Sequence, residues 1–567
     1  MKLEQLKQDN QAPEWMTTEG FQTLSSGYLL EGETPRGMWS RVSKSVAGYL
    51  KRPDLEAKFF DAMWKGWLCL ATPVAANSGT LRGLPISCFS VHVPDSVDGI
   101  FTTIHEIAML SKYGGGVGSY WGDVRARGAF ITGNGKSEGV VPWLKVLDST
   151  TISVSQGQTR RGATAGYLDV EHGDIEEFLR VRRPTGDENR QCQNIHQGVC
   201  VGDDFMNKVE SGDKKAREIW KEIIRTRAET GEPYIFFKDN VNRQRPQAYL
   251  NNNLTVKTSN ICTEIFLYTD EDHSFVCCLS SLNLTKWDEW KDTDLVEIAT
   301  YFLDGVMEEF IQKAKNLRGF ERSVRFAQKS RALGLGVLGW HSLLQSKMLA
   351  FDSFESMMLN SQIFKQIKDQ SHAASRKLAQ EYGEPEWCAG TNMRNSHLTA
   401  IAPTASNSII SGNVSAGIEP IVANAYAKKT AKGNFVQQNP LLRKLLQEKG
   451  KDTEDVWKTI LENSGSIQHL DFLSEHEKEV FLTAREINQF AIVKQAGQRQ
   501  KFIDQGQSVN LFFPQNASPK YIHQVHMEAW KQGLKSLYYF RSESVLKGDL
   551  STRDYERKID ECKACEG

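Results

Sequence analysis

The chain is short of cysteine, of unbroken apolar sequence and of any excess of one charge sign, and each shortage closes off a class of function. Ten cysteines in 567 residues are too few for a secreted disulfide scaffold, so in a reducing compartment they stand as core thiols, metal ligands or redox groups. No run approaches the roughly 18 apolar residues of a membrane span, and the opening Met1-Lys2-Leu3-Glu4-Gln5 is unlike a secretion signal. A cytoplasmic protein with no membrane partner is expected. Lys+Arg 69 against Asp+Glu 70 leaves a net charge of -1, which argues against a nucleic-acid-coating protein and requires any phosphate-bearing ligand to be held locally. Pro- or Ser-rich linkers and repeats of 20 to 50 residues are also missing, which excludes a string of modules or a solenoid.

What remains is ordinary globular sequence, 40% hydrophobic and 25% charged, long enough for one very large α/β domain. Residues 1–70 read as an N-terminal helical region: from Asp54 to Trp67, Leu55, Phe59, Met63 and Trp67 recur at fourfold spacing. From Thr72 onward short apolar runs alternate with amphipathic helices. Strands are expected at Gly116 to Trp121, Gly166 to Val170, Gly198 to Val201, Tyr234 to Phe237, Leu333 to Leu338, Leu398 to Ala402, Ser508 to Phe513 and Ser536 to Phe540. A helix is expected at Leu295 to Ile311, a capping box at Ser474-Glu475-His476-Glu477, and a Pro-started helix at Ser518-Pro519. Residues 71–541 form the body. Residues 542–567 are charged and poor in core formers and read as a mobile tail.

The residues with chemistry are unevenly placed. Thr258-Ser259-Asn260-Ile261-Cys262-Thr263-Glu264-Ile265 sets an amide, a thiol and a carboxylate at i, i+2 and i+4, which in an extended strand or narrow loop point together. The tail carries Cys562-Lys563-Ala564-Cys565, the spacing of a redox dithiol or of half a zinc site. No second C-x-x-C exists to complete the zinc site. The 23 residue steps from Tyr539 to Cys562 give a coil reach of about 25 to 30 Å, enough to dip into the body and swing out to an external reductant. Cys88, after Gly83-Leu84-Pro85-Ile86-Ser87, and Cys277, before Cys278-Leu279-Ser280, could each be a small strand hydrophobe. Ala402-Pro403-Thr404-Ala405-Ser406-Asn407-Ser408 and Thr72-Pro73 are hydroxyl-bearing turns that either cap helices or face an anion. The Gly114-Gly115-Gly116 run permits close backbone approach. Leu537-Tyr538-Tyr539-Phe540 reads as strand, with the adjacent rings on opposite faces.

In combination and order, Ser87-Cys88, Asn260-x-Cys262-x-Glu264, Cys277 with Leu279-Ser280 and Asn283-Leu284, Pro403-Thr404-x-Ser406, Gly417-Ile418-Glu419-Pro420, Tyr538-Tyr539 and the terminal dithiol resemble the large, catalytic subunit of class I ribonucleotide reductase. The resemblance implies a ten-stranded α/β barrel of two five-stranded halves with Cys262 on a central finger loop. It implies a thiyl radical at Cys262 that abstracts the 3′ hydrogen of a ribonucleoside diphosphate, Glu264 as base and Asn260 as holder of the ribose oxygens. Cys88 and Cys277 would supply electrons and be re-reduced by Cys562 and Cys565, themselves served by thioredoxin or glutaredoxin.

Tyr538 and Tyr539 would relay the oxidising equivalent from a metal-containing radical (beta) subunit, the chain itself binding no metal or cofactor. Thr72, Ser87, Gly116 and Thr404, Ala405, Ser406, Asn407 and Ser408 would position the diphosphate, although the turn lacks the Glu that some relatives carry. Asp95, Ser96, Arg125 and Arg190 would hold a dNTP or ATP effector at a homodimer interface, and the 183–191 loop would carry its signal. No segment resembles an ATP-cone, which implies substrate-specificity control without cone-based dATP shut-off. The rival readings are an adenosylcobalamin-dependent relative and a non-catalytic nucleotide- or zinc-binding relative.

Overall fold

The computed structural model describes residues 2–86, 88–133, 135–154, 162–183, 186–430 and 433–542, with the side chains of 427–436 outside that description. Its organising feature is a run of strands buried on both faces. Cys88–His92, Gly116–Tyr120, Tyr234–Phe237 and Leu333–Leu338 are buried at every position. Strands of that kind belong to a sheet wrapped by helices, and a parallel sheet connected through helices meets the requirement.

The pairings close a ring. Cys88–His92, Gly116–Tyr120, Ala163–Asp169, Ile195–Val201 and Tyr234–Phe237 are parallel neighbours in chain order. A second set begins with Phe275–Asn283 parallel to Leu333–Leu338. It continues through parallel bridges from Leu335 to Thr399 and from Ile401 to Gln507, and through Leu511–Phe512 parallel to Phe540–Arg541. The two sets meet antiparallel at both seams, Cys88–His92 against Phe275–Asn283 and Tyr234–Phe237 against Ser536–Leu537. Among the described residues this makes the ten-stranded barrel of two five-stranded halves that the resemblance implied.

The second half is less regular than its apolar runs predict. Residues 398–402 and 507–510 pair through isolated bridges and single bonds such as Ile401 N–H to the Gly506 carbonyl (3.0 Å) and Ser508 N–H to the Ile401 carbonyl (3.0 Å). The N-terminal region is helical, as Thr18–Ser25, Pro35–Leu50 and Glu56–Trp64 show. The helix predicted over 54–67 is shorter, because Pro53–Leu55 forms a 3-10 turn and the chain leaves the helix after Trp64. Phe59 packs edge-on against Phe302 at 5.3 Å, docking this region onto Leu295–Ala314. Leu68–Leu70 then joins the barrel beside Phe275–Asn283. The capping box at Ser474 and the Pro519 helix start are both present. One feature had no sequence signal: the antiparallel pair Ala425–Thr430 and Gly433–Gln438 and the helices Pro440–Glu448 and Glu454–Glu462, with a separate apolar cluster around Leu442, Trp457 and Ile460. No described helix is long and apolar enough to cross a membrane.

Candidate active site

Residues 258–266 run through the barrel as a loop, and at its tip the extended reading gives way to a turn. Thr263 has φ 58°, and its N–H reaches back to the Asn260 carbonyl at 3.4 Å. The turn, rather than strand alternation, brings the amide and the carboxylate together on either side of Cys262. Asn260 Nδ2 donates to Glu264 Oε2 (3.0 Å), while Asn260 Oδ1 accepts from the backbone N–H of Glu264 and Ile265, each at 3.2 Å. Asn260, Cys262 and Glu264 are all buried.

The loop is held from every side by distant parts of the chain. The Tyr167 hydroxyl donates to the Asn260 carbonyl (2.6 Å), Ser508 Oγ to the Cys262 carbonyl (2.6 Å) and Ser536 Oγ to the Thr263 carbonyl (2.7 Å). Ser508 Oγ also lies 3.3 Å from Glu264 Oε2. Gly506 N–H donates to the Glu264 carbonyl at 2.8 Å, and Gln505 Oε1 accepts from Phe266 N–H at 3.1 Å. Gly118 allows the loop to lie this close: a Cβ there would stand 1.9 Å from the Ser259 carbonyl oxygen.

Beside the loop, Cys88 and Cys277 occupy directly opposed positions on antiparallel strands. Such cross-strand neighbours stand roughly 4.5 to 5.5 Å apart at Cα, within the span a disulfide bridges. Among the described residues the cysteines are thiols. Burial pushes the Cys277 thiol well above its ordinary value, and the fields of Cys278, Cys88 and Glu264 add to the rise. Alternation along the strand separates the adjacent pair: Cys278 Sγ turns outward to the Leu303 carbonyl at 3.3 Å. Gly116 stands next to Cys88 on the second strand of the same row, and Ser87 lies outside the described residues.

Across the barrel Thr404 adopts φ 55° at the start of the short helix Ala405–Ile410. Its Oγ1 accepts from Gly417 N–H (2.7 Å) and lies 3.1 Å from Ser408 Oγ, which donates to the Thr404 carbonyl at 2.7 Å. Ser406, Asn407 and Ser408 are buried and Ala405 partly so. Ser411 Oγ to Cys69 Sγ (2.9 Å) ties this helix to the chain just before Thr72, whose own hydroxyl pairs with Tyr28 at 3.0 Å. The two hydroxyl-bearing turns are therefore neighbours.

A profile of the ribonucleotide reductase barrel domain matches residues 86–214, 212–393 and 386–540, and one of the family's all-alpha domain matches 15–83. The chain belongs to the ribonucleotide reductase large subunits. A solved structure of an Actinobacillus ureae class Id ribonucleotide reductase alpha subunit is 45% identical, with a TM-score of 0.87 over 94% of this chain and 98% of that one. The ribonucleoside-diphosphate reductase large subunit of Invertebrate iridescent virus 3 is 37% identical over 97% of this chain and 98% of its own length. The Danio rerio large subunit is 32% identical over 92% and 75%. The chain is thus an oxidoreductase of this family, and the adenosylcobalamin-dependent reading is not favoured.

Two further groups of this reductase differ in detail from what its sequence predicts. Tyr538 and Tyr539 do not face apart: their ring centroids are 4.3 Å from each other. The strand changes partner between Ser536–Leu537 and Phe540–Arg541, so alternation fails at the junction. Tyr538 N–H bonds the Val509 carbonyl (2.8 Å), and Tyr539 N–H bonds Asn510 Oδ1 (2.9 Å). The Tyr234 ring completes a three-ring cluster at 4.8 and 5.2 Å from the pair, and Arg541 stacks on Tyr539 at 4.3 Å.

At the outer edge Arg125 Nε pairs with Asp95 at 2.8 Å, and Ser96 caps the Val97–Lys112 helix. Arg190 instead pairs with Glu177, with Glu138 nearby. Cys562 and Cys565 lie outside the described residues, as do residues 184–185 of the 183–191 loop. Sequence reasoning missed the clamps Tyr167, Gln505, Ser508 and Ser536, along with Tyr234. Tyr167, Tyr234, Ser508 and Ser536 fall inside predicted strands, and nothing local distinguishes them from packing residues.

Proposed function

We propose that the chain is the catalytic subunit that reduces ribonucleoside diphosphates to deoxyribonucleotides, in the cytoplasm, by radical chemistry at Cys262. The observation carrying this reading is the opposed pair Cys88 and Cys277 beside a turn in which Asn260 and Glu264 are hydrogen-bonded around Cys262. A sulfur radical at Cys262 takes the 3′ hydrogen of the ribose, Glu264 takes the proton of the 3′ hydroxyl, and Asn260 orients the ribose oxygens. The 2′ hydroxyl leaves as water while Cys88 and Cys277 give up two electrons and become a disulfide. Enclosure protects the radical from solvent.

The class Id likeness supports a β subunit as the source of the oxidising equivalent and Tyr538 and Tyr539 as its route. Thr72, Ser87, Gly116 and the 404–408 turn hold the diphosphate. Asp95, Ser96 and Arg125, with Arg190 on the following loop, hold a nucleoside triphosphate effector at a homodimer contact. The tail dithiol Cys562 and Cys565 re-reduces the pair and is itself served by thioredoxin or glutaredoxin. CDP reduction by this chain with candidate radical subunits tests the reading. Cys262→Ser removes turnover, and Tyr538→Phe stops it with substrate binding intact. Cys562→Ser permits about one thioredoxin-driven turnover per site and is relieved by a small dithiol. Full turnover in Cys262→Ser overturns the radical assignment, and repeated thioredoxin-driven turnover in Cys562→Ser overturns that of the tail.

A further inference from the structure

Gln505 is fully buried, and its amide is committed on every side. Nε2 donates to Cys277 Sγ at 3.3 Å and to the Leu333 carbonyl at 2.9 Å. Oε1 accepts from Phe266 N–H at 3.1 Å. Flipping the amide would set N–H against N–H at Phe266 and a carbonyl oxygen against the Leu333 carbonyl, so the orientation with an N–H on the sulfur is fixed. The backbone is held as well: Gln505 N–H bonds the Thr399 carbonyl at 3.1 Å, and its own carbonyl accepts from Gln500 Nε2 at 2.9 Å. One rigid side chain therefore connects the base of the loop carrying Cys262 to the sulfur of Cys277.

We propose that Gln505 is a positioning residue for the thiol pair: it fixes the Cys277 sulfur relative to the finger loop and stabilises negative charge on that sulfur during thiol–disulfide exchange. The inference rests on the reading of Cys88 and Cys277 as the reducing pair. In re-reduction a dithiol thiolate attacks one sulfur of the Cys88–Cys277 disulfide. The S–S bond breaks, and the departing sulfur leaves with the electron pair as a thiolate. The second thiol of the reductant then attacks the mixed disulfide and releases the other protein sulfur. Two electrons and two protons pass from the reductant, which ends as its own disulfide, and Cys277 carries negative charge at one of the two departures. Burial opposes that charge, and the Gln505 N–H opposes the burial.

The test uses the full-length chain with its tail thiols removed by Cys562→Ser and Cys565→Ser, oxidised by one turnover with its radical subunit and re-reduced with dithiothreitol. Gln505→Met, close in volume but without a donor, is expected to slow re-reduction about tenfold, the scale of a hydrogen bond to a charged group. The midpoint of the disulfide redox equilibrium stays in place, because both end states are neutral at the sulfur. Gln505→Glu keeps the oxygen that holds Phe266 and so preserves the loop clamp if the Met variant does not fold. Its deficit relative to the parent chain is expected to widen as pH rises from 6 to 9 and the new carboxyl ionises beside the sulfur. A parental rate in Gln505→Met, a rate loss matched by a midpoint shift, or a pH-independent deficit in Gln505→Glu overturns the proposal. If Cys88→Ser and Cys277→Ser both keep full thioredoxin-driven turnover, the reading of the pair fails, whatever Gln505 does.

Discussion

The finger loop and the 404–408 turn are both buried, polar and sharply bent, yet they are held in opposite ways. The turn closes on near neighbours: Thr404 bonds Ser408 and Gly417, 4 and 13 residues away. The loop contributes its own Asn260 contacts, but its backbone carbonyls are held by Tyr167, Ser508 and Ser536, each far away in sequence. A hydroxyl-rich turn that binds an anion needs the right groups in roughly the right place. On the proposed mechanism the Cys262 sulfur must meet one hydrogen atom, which needs placement to a fraction of an ångström, and contacts from distant rigid strands would supply it.

That contrast is sharpest at Gly118, whose Cβ would meet the Ser259 carbonyl at 1.9 Å. Gly118→Ala is expected to displace the loop and lower kcat about a hundredfold, the scale of an ångström-sized misplacement. Steady-state CDP reduction measures it. A parental kcat would show that the loop tolerates slack.

Asp504, next to Gln505, tests the scaffold rather than the chemistry. Burial would raise its carboxyl, but the hydrogen bond and charge of His372, with His397 and the Leu398 N–H, hold it at about 2. A carboxyl lowered on folding stabilises the protein above its unfolded pKa of roughly 3.9, and this stabilisation is lost as pH falls through the folded value. Asp504→Asn is therefore expected to cost about 2 to 3 kcal/mol at pH 7 and progressively less below pH 4. Urea unfolding across that range checks the sign.

Smaller effects separate the two regions directly. Ser508→Ala removes the donor to the Cys262 carbonyl and is expected to lower kcat about tenfold and stability by about 1 kcal/mol with KM unchanged. Thr404→Val removes the acceptor for Gly417 N–H and is expected to raise KM about fivefold with kcat nearly unchanged. If the two variants changed the same kinetic constant, the division between positioning and binding would collapse.

The same contrast explains what could be read from the chain. The strands Tyr234–Phe237 and Leu333–Leu338 lie where their apolar runs predict, and the caps at Ser474 and Ser518 follow from local spacing. The hydroxyls of the 404–408 turn were visible for the same reason. The meeting of Cys88 with Cys277 was not, because it depends on an antiparallel seam between strands almost 190 residues apart. Nor could local pattern show that Thr263 is a left-handed turn residue or that the Tyr538 and Tyr539 rings lie against each other, since alternation holds only while a strand keeps its partner.

The most direct test of the account is a single turnover with radical subunit and CDP but no reductant, on a chain whose tail dithiol has been removed by Cys562→Ser and Cys565→Ser. The account predicts about one deoxynucleotide per site, with peptide mapping placing one new disulfide between Cys88 and Cys277. Product formed while both remain thiols would contradict it.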